Sequence, residues 1–151
     1  MKTPEYYMSI ALKEAEKAVL EDEVPVGAVI VCDGKVIAKA HNQRDGKNLT
    51  YAHAEMLAIA KVNKSLKSWR IPNCDIYITL EPCIMCMGAI IQSRINNIYY
   101  GAKDLKGGAV ISSINVLDAK NINHHPNVIG GIMENECSKI ITDYFKKKRK
   151  K

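Results

Sequence analysis

Asp75-Ile76-Tyr77-Ile78-Thr79-Leu80-Glu81-Pro82-Cys83-Ile84-Met85-Cys86 is the stretch whose reading decides the fold. Its first six residues are rich in β-branched, aromatic and apolar side chains, the composition of a strand. Glu81-Pro82 ends that strand, and Pro82 suits the opening of a helix, where a missing N–H costs nothing. Cys83 to about Ser93 is apolar and small-residue-rich and reads as that helix, and Ile98-Tyr99-Tyr100, closed by Gly101, reads as the next strand. Upstream, Val24 to Cys32 and Lys35 to Ala40 flank Asp33-Gly34, a pair favoured in the type I′ turn of a β-hairpin.

Further helices complete the pattern. Thr3 is placed to cap a first helix with Pro4 in its first turn, and Met8, Ala11, Ala15 and Ala18 recur at helical spacing. Thr50 is the expected cap of a second helix through His53, Leu57 and Ala60 to about Asn63. Beyond Gly107-Gly108 the sequence predicts a short helix near Ile114–Asp118, a weak strand at Val128-Ile129 and a last helix from Glu134. Helices alternating with strands predict an α/β fold with a sheet covered on both faces. The opening hairpin makes that sheet of about five strands mixed.

At 151 residues, with 47% hydrophobic and 25% charged residues, the composition is that of one globular domain and excludes disorder, collagen and coiled coil. No apolar run approaches a membrane span, and Met1 to Glu5 lacks a signal-peptide core, so no membrane association and a cytoplasmic location are expected. Five cysteines, an odd number, do not make a disulfide framework, and Cys32, Cys74 and Cys137 are expected to act as small buried apolar side chains. The net charge of +6 is unevenly placed. Lys146 to Lys151 are all basic, and without them basic and acidic residues balance at 16 each. The chain is therefore expected to divide into a domain over residues 1–145 and a basic tail, 146–151, continuing the last helix. Such an arm suits a polyanionic partner, and equally a solvated helix end.

The chemistry gathers in His53-Ala54-Glu55 and Cys83-Ile84-Met85-Cys86. Cys83 and Cys86, three apart in the first turn of a helix, project from one face, where free N–H groups favour thiolate. With one imidazole they make three ligands for a tetrahedral zinc and leave a fourth position for water, as in catalytic sites. Glu55, beside the metal but not bound to it, is the candidate to move a proton. Residues two apart inside a helix diverge, so His53 and Glu55 serve one site only if it lies over a helix N-terminus, which fits a start near residue 52. A Cys-x-x-Cys is also found in redox pairs and structural zinc sites, but the first has no use for His53 and the second would need another Cys pair.

The pattern H-x-E…P-C-x-x-C is the signature of the zinc nucleobase deaminases. The chain resembles the bacterial tRNA-specific adenosine deaminase family, within the cytidine-deaminase-like superfamily, over nearly its whole length. The resemblance rests on Val24-Pro25-Val26-Gly27-Ala28-Val29, His41-Asn42, Ala52–Glu55, Thr79–Ala89, Ser93-Arg94-Ile95, Gly101–Asp104 and Asp143-Tyr144-Phe145 before basic residues. It implies a three-layer α/β/α domain that hydrolyses adenosine to inosine at the wobble position of a tRNA anticodon, as a homodimer with one zinc per chain and no organic cofactor. His53, Cys83 and Cys86 would bind zinc, and Glu55 would take a proton from water and pass it to the leaving amine. Asn42 and the Ala54 N–H would hold the base, Asp104 would touch the neighbouring nucleotide, and Phe145 and Arg149 would contact RNA. Leu49-Thr50-Tyr51 replaces the Asp-Pro-Thr usual in the family, a departure at the pocket rim and helix cap. The rival expectation is a deaminase of a free base or nucleoside such as guanine or cytidine, for which the basic arm has no use. A zinc-stabilised RNA-binding module would have no use for Glu55.

Overall fold

A computed structural model of the chain describes residues 2–150. In chain order it contains α1 (Pro4–Leu20), β1 (Gly27–Cys32), β2 (Lys35–His41), α2 (Arg44–Lys47), α3 (Ala54–Leu66), β3 (Cys74–Leu80), α4 (Ile84–Ser93), β4 (Asn97–Ala102), a 3₁₀ turn (Val116–Asp118), β5 (Asn127–Ile129) and α5 (Glu134–Arg149). The strands form one sheet in the order β2-β1-β3-β4-β5. β1 runs antiparallel to both β2 and β3, while β3, β4 and β5 are parallel to one another. The expected α/β class, mixed five-stranded sheet and hairpin are all present. Asp33 and Gly34 both take positive φ, 51° and 74°, as a type I′ turn requires.

Alternation along the strands builds the layers. Ala28 and Ile30 of β1, with Ile76 and Ile78 of β3, pack against Ala58, Val62, Met87 and Ile90 of α3 and α4. Val29, Val31 and Tyr77 turn to the opposite face and meet Tyr7, Met8 and Ala11 of α1 and Cys137 of α5. Cys137 is fully buried against Gly101, so it is the small apolar residue the sequence predicts.

Four expectations are corrected. The first strand starts at Gly27 rather than Val24, because Pro25 cannot donate to a ladder and Val26 N–H turns back to the Val24 carbonyl. Helix α3 begins at Ala54 with His53 as its cap, so Thr50 caps nothing; residues 49–52 form a turn closed by Ala52 N–H on Leu49 carbonyl. Cys83 caps α4 instead of opening its first turn. Cys32 and Cys74, expected as free apolar residues, are joined in a disulfide: they oppose one another in the β1–β3 register with Cα atoms 4.4 Å apart. That proximity is invisible across a separation of 42 residues.

The topology sends the C-terminal ends of β2, β3 and β4 and the N-terminal end of β1 to one edge of the sheet, as the pairs Gly27–His41 and Leu80–Ala102 mark. Helices α3 and α4 start at that same edge. Close approach of α1 to β1 depends on Gly27, where a Cβ would fall on the Ala11 carbonyl oxygen and the Ala15 nitrogen. Because backbone on both sides must move, Gly27→Ala is expected to destabilise by about 3 kcal/mol. Thermal unfolding should show a fall in Tm of roughly 6–12 °C.

Candidate active site

His53 has an extended backbone, φ −78° and ψ 154°, so it stands outside the helix that it caps. Its ring and the side chain of Glu55, in the first turn, can therefore face one point, which resolves the divergence expected of residues two apart. Cys83 caps α4 in the same extended manner, φ −77° and ψ 176°, and Cys86 lies three residues into its first turn. The His53 Nδ1 atom is 3.7 Å from Cys83 Sγ and 3.6 Å from Cys86 Sγ. All three donor atoms lie within 4.8 Å of one another. A tetrahedral ion with bonds of about 2.0–2.3 Å needs such donors roughly 3.5–3.8 Å apart, so the set fits a thiolate- and imidazole-bound metal.

The electrostatics agree with that use. The Cys86 thiol donates to Cys83, and this, with the His53 bond, pulls the Cys83 pKa down to about 4. Cys86 is shifted upward by the same bond to Cys83 and by burial. The hydrogen bond to Cys83 raises the pKa of His53, with a contribution from the nearby Glu55 charge. Glu55 is 4% exposed, and burial raises its carboxyl to about 6 despite the bond from its own backbone N–H. A carboxyl near neutrality beside a metal-ligand triad is suited to giving and taking a proton.

His53, Glu55 and Cys83 line a cavity of about 200 Å³ together with Val24, Val26, Asn42, Arg44, Ala54, Leu80, Glu81 and Asp104, while Cys86 is fully buried next to them. Asn42 is held by two backbone partners: its Nδ2 donates to the Val24 carbonyl and its Oδ1 accepts from Arg44 N–H, both at 3.2 Å. One amide hydrogen and one oxygen lone pair remain for a ligand. Ala54 opens α3, so its N–H is among those the helix itself does not satisfy.

The family model of the MafB19-like deaminases matches residues 3–149. The chain belongs to this deaminase family. It is 44% identical to the tRNA-specific adenosine deaminase of Bacillus subtilis over 151 residues, covering 100% of this chain and 94% of that one. With the protein of the same name from Agrobacterium fabrum the identity is 44% over 144 residues, 95% of each chain. A solved structure from work on A-to-I editing by tRNA:A34 deaminases superposes with TM-score 0.87 at 44% identity, covering 89% of this chain and 98% of that one. A guanine deaminase from Bacillus subtilis is more distant, with TM-score 0.64 at 29% identity over 79% of this chain and 87% of that one.

The deaminase cavity thus unites His53, Cys83, Glu55, Asn42, Ala54 and Asp104, with Cys86 buried beside His53 and Cys83. Phe145 and Arg149 lie outside it, on the exposed outer part of α5. That helix is tethered to the connection between α1 and β1: Tyr144 Oη donates to the Asp22 carbonyl and Lys148 Nζ lies 2.9 Å from the Asp22 carboxylate, two residues before Val24. His41 ends β2 and bonds Glu14 and Glu21 rather than a metal. Sequence reasoning missed Arg44 and Glu81 as cavity residues. Arg44 sits on α2, a single turn too short to leave a periodic signal. Glu81 carried one overlooked signal, an acid between an apolar strand and a helix.

Elemental analysis is expected to find one divalent metal per chain in the purified deaminase. Cys83→Ala should lose it, whereas Glu55→Ala should keep metal and fold and lose at least about 10²–10⁴ in turnover, the value of one proton transfer. Metal loss from the Glu55 variant would make Glu55 a ligand and remove its assigned role.

Proposed function

We propose that this deaminase hydrolyses the 6-amino group of adenosine at the wobble position of a tRNA anticodon, leaving inosine, with one zinc per chain on His53, Cys83 and Cys86. The observation that carries the chemistry is the buried Glu55 carboxyl standing beside a three-donor cluster at the floor of a cavity. The choice of substrate is supported by 44% identity along the full length to tRNA-specific adenosine deaminases. Zinc suits two sulfurs and one nitrogen, and when bound it makes water acidic enough to ionise near neutral pH.

Glu55 accepts the water proton and returns it to the departing amine, and its pKa of about 6 serves both transfers. Asn42, fixed by Val24 and Arg44, offers its remaining donor and acceptor to the purine edge, and the Ala54 N–H offers another donor. Asp104, at the cavity rim, faces the nucleotide beside the reacting base. An anticodon loop is already single-stranded, so presenting the base costs less than extracting it from a duplex. The deaminase domain spans residues 1–145 of the sequence and the basic arm 146–151, with Phe145 just before the arm and Arg149 on it as the residues that meet RNA. Helix α5 runs through this boundary to Arg149, while Lys151 lies outside the described residues.

A homodimer is the proposed assembly. Ile84 of α4 is 62% exposed and a Cβ at Gly88 would meet nothing, which leaves a smooth apolar stretch suited to a second copy. No helix among the described residues is long and apolar enough to cross a membrane, and a cytoplasmic location is proposed because the proposed substrate is a tRNA.

Incubation with an anticodon stem-loop carrying adenosine at the wobble position should release ammonia, while free adenosine, cytidine and guanine should release far less. Preferential turnover of guanine or cytidine would overturn the reading. Deleting residues 146–151 should weaken stem-loop binding and flatten its dependence on salt, by about 0.7 in the log–log slope for each phosphate that the shortened chain leaves unneutralised. Metal content should be unchanged.

A further inference from the structure

Glu81 is a buried carboxylate that the chemistry above does not use. It is 2% exposed, follows the last residue of β3 and precedes Pro82-Cys83. Its Oε2 atom accepts from the backbone N–H groups of Val110, Ile111 and Ser112 at 3.1, 2.9 and 3.0 Å. Its Oε1 atom accepts from Asp104 N–H at 3.2 Å and from the Ser112 hydroxyl. The loop from Asp104 to Ser112 therefore wraps around one carboxylate. Gly108 lies so close to it that a Cβ would overlap the carboxylate carbon and oxygen.

The same segment is tied to the site at one more point, where Ala109 N–H donates to the Pro82 carbonyl at 2.8 Å, and just before it Glu81 N–H donates to the carbonyl of Ala102, the last residue of β4, also at 2.8 Å. Asp104 in turn accepts from the N–H groups of Lys106 and Gly107, so its own side chain is oriented by the loop. Burial works to raise the Glu81 pKa, but these donors outweigh it and hold the carboxyl below its ordinary range. A buried acceptor with five donors is costly to replace, because each orphaned N–H loses its partner.

We propose that Glu81 is a positioning residue, which orders the 104–112 loop and thereby sets Asp104 at the cavity rim for a substrate with a nucleotide beside the reacting base. This rests on the reading of the substrate as an anticodon loop. Its expected signature is selective: a disordered loop weakens capture of the stem-loop more than it slows the bound substrate, whose reacting groups come from α3 and α4.

The test compares the metal-loaded wild type with Glu81→Gln, which keeps the volume but puts a donor where two donors already point. Amide hydrogen exchange at residues 104–112 is expected to accelerate by at least tenfold, with metal content unchanged. The KM for the stem-loop should rise about tenfold while kcat falls less than threefold. Glu81→Asp, which keeps the charge but not the reach, should fall between the two. Should Glu81→Gln fail to fold, Gly108→Ala disturbs the same contact from the loop side and should give the same exchange and KM changes. Unchanged exchange, or faster exchange with KM unmoved, overturns the proposal; so does a fall in kcat and metal content with KM constant, which would mean that Glu81 acts through Cys83. The exchange arm needs no substrate, and stem-loop affinity is measured by titration without turnover. A wild type that binds but does not deaminate the stem-loop would refute the substrate reading alone.

Discussion

Helices α3 and α4 begin side by side at one edge of the sheet, and their cap residues meet there, with the His53 imidazole within 3.7 Å of both cysteine sulfurs. Much else at this end of the molecule follows from that meeting. It requires β3 and β4 to be parallel and β1 to be antiparallel to β3, since only then do the helix starts and the strand ends bearing Asn42, Glu81 and Asp104 share an edge. Extended backbone at His53 and Cys83 sets these two cap residues just outside their helices, while Cys86 joins them from the first turn of α4. Helix N-termini bring unsatisfied N–H groups and a positive field, which favours thiolate at this position.

Three buried glutamates around the cavity show how surroundings divide one residue type among different tasks. Glu55 is desolvated and accepts little from its neighbours, so its pKa rises to about 6 and it can carry a proton. Glu81 is as deeply buried but accepts from five donors, so it stays charged and acts as a fixed anion for the loop. Glu23 accepts from the N–H groups of Asp45 and Gly46 at 3.1 and 2.6 Å and secures the short helix that carries Arg44. Hydrogen bonds to the charged form lower a carboxyl pKa and burial raises it, and between Glu55 and Glu81 the number of donors decides which wins.

Helix α5, which carries the basic residues Lys146 to Arg149, is held by specific contacts. Packing of Cys137 against Gly101 and the bonds of Tyr144 and Lys148 to Asp22 hold α5 along the α1 side of the sheet. Those exposed contacts are individually weak. Their effect is directional, bringing cationic residues to the same side as the α1–β1 connection that leads into the cavity wall at Val24.

The sequence by itself determined the class of fold, because alternating apolar residues, Asp33-Gly34 and Glu81-Pro82 are local signals whose physics lies within a few residues. It also made the His53, Glu55, Cys83 and Cys86 set legible, since the spacing of metal donors on two helices is a covalent constraint. The helix starts were misread by one to three residues: Thr50 is a better cap by propensity, and only packing assigns that place to His53, which makes no capping hydrogen bond. Tertiary structure alone decided the Cys32–Cys74 pairing, the arrival of Arg44 at the cavity and the wrapping of residues 104–112 around Glu81. Each of these joins segments more than 20 residues apart through strand register or loop closure, and such contacts leave no periodicity along the chain for a sequence to display.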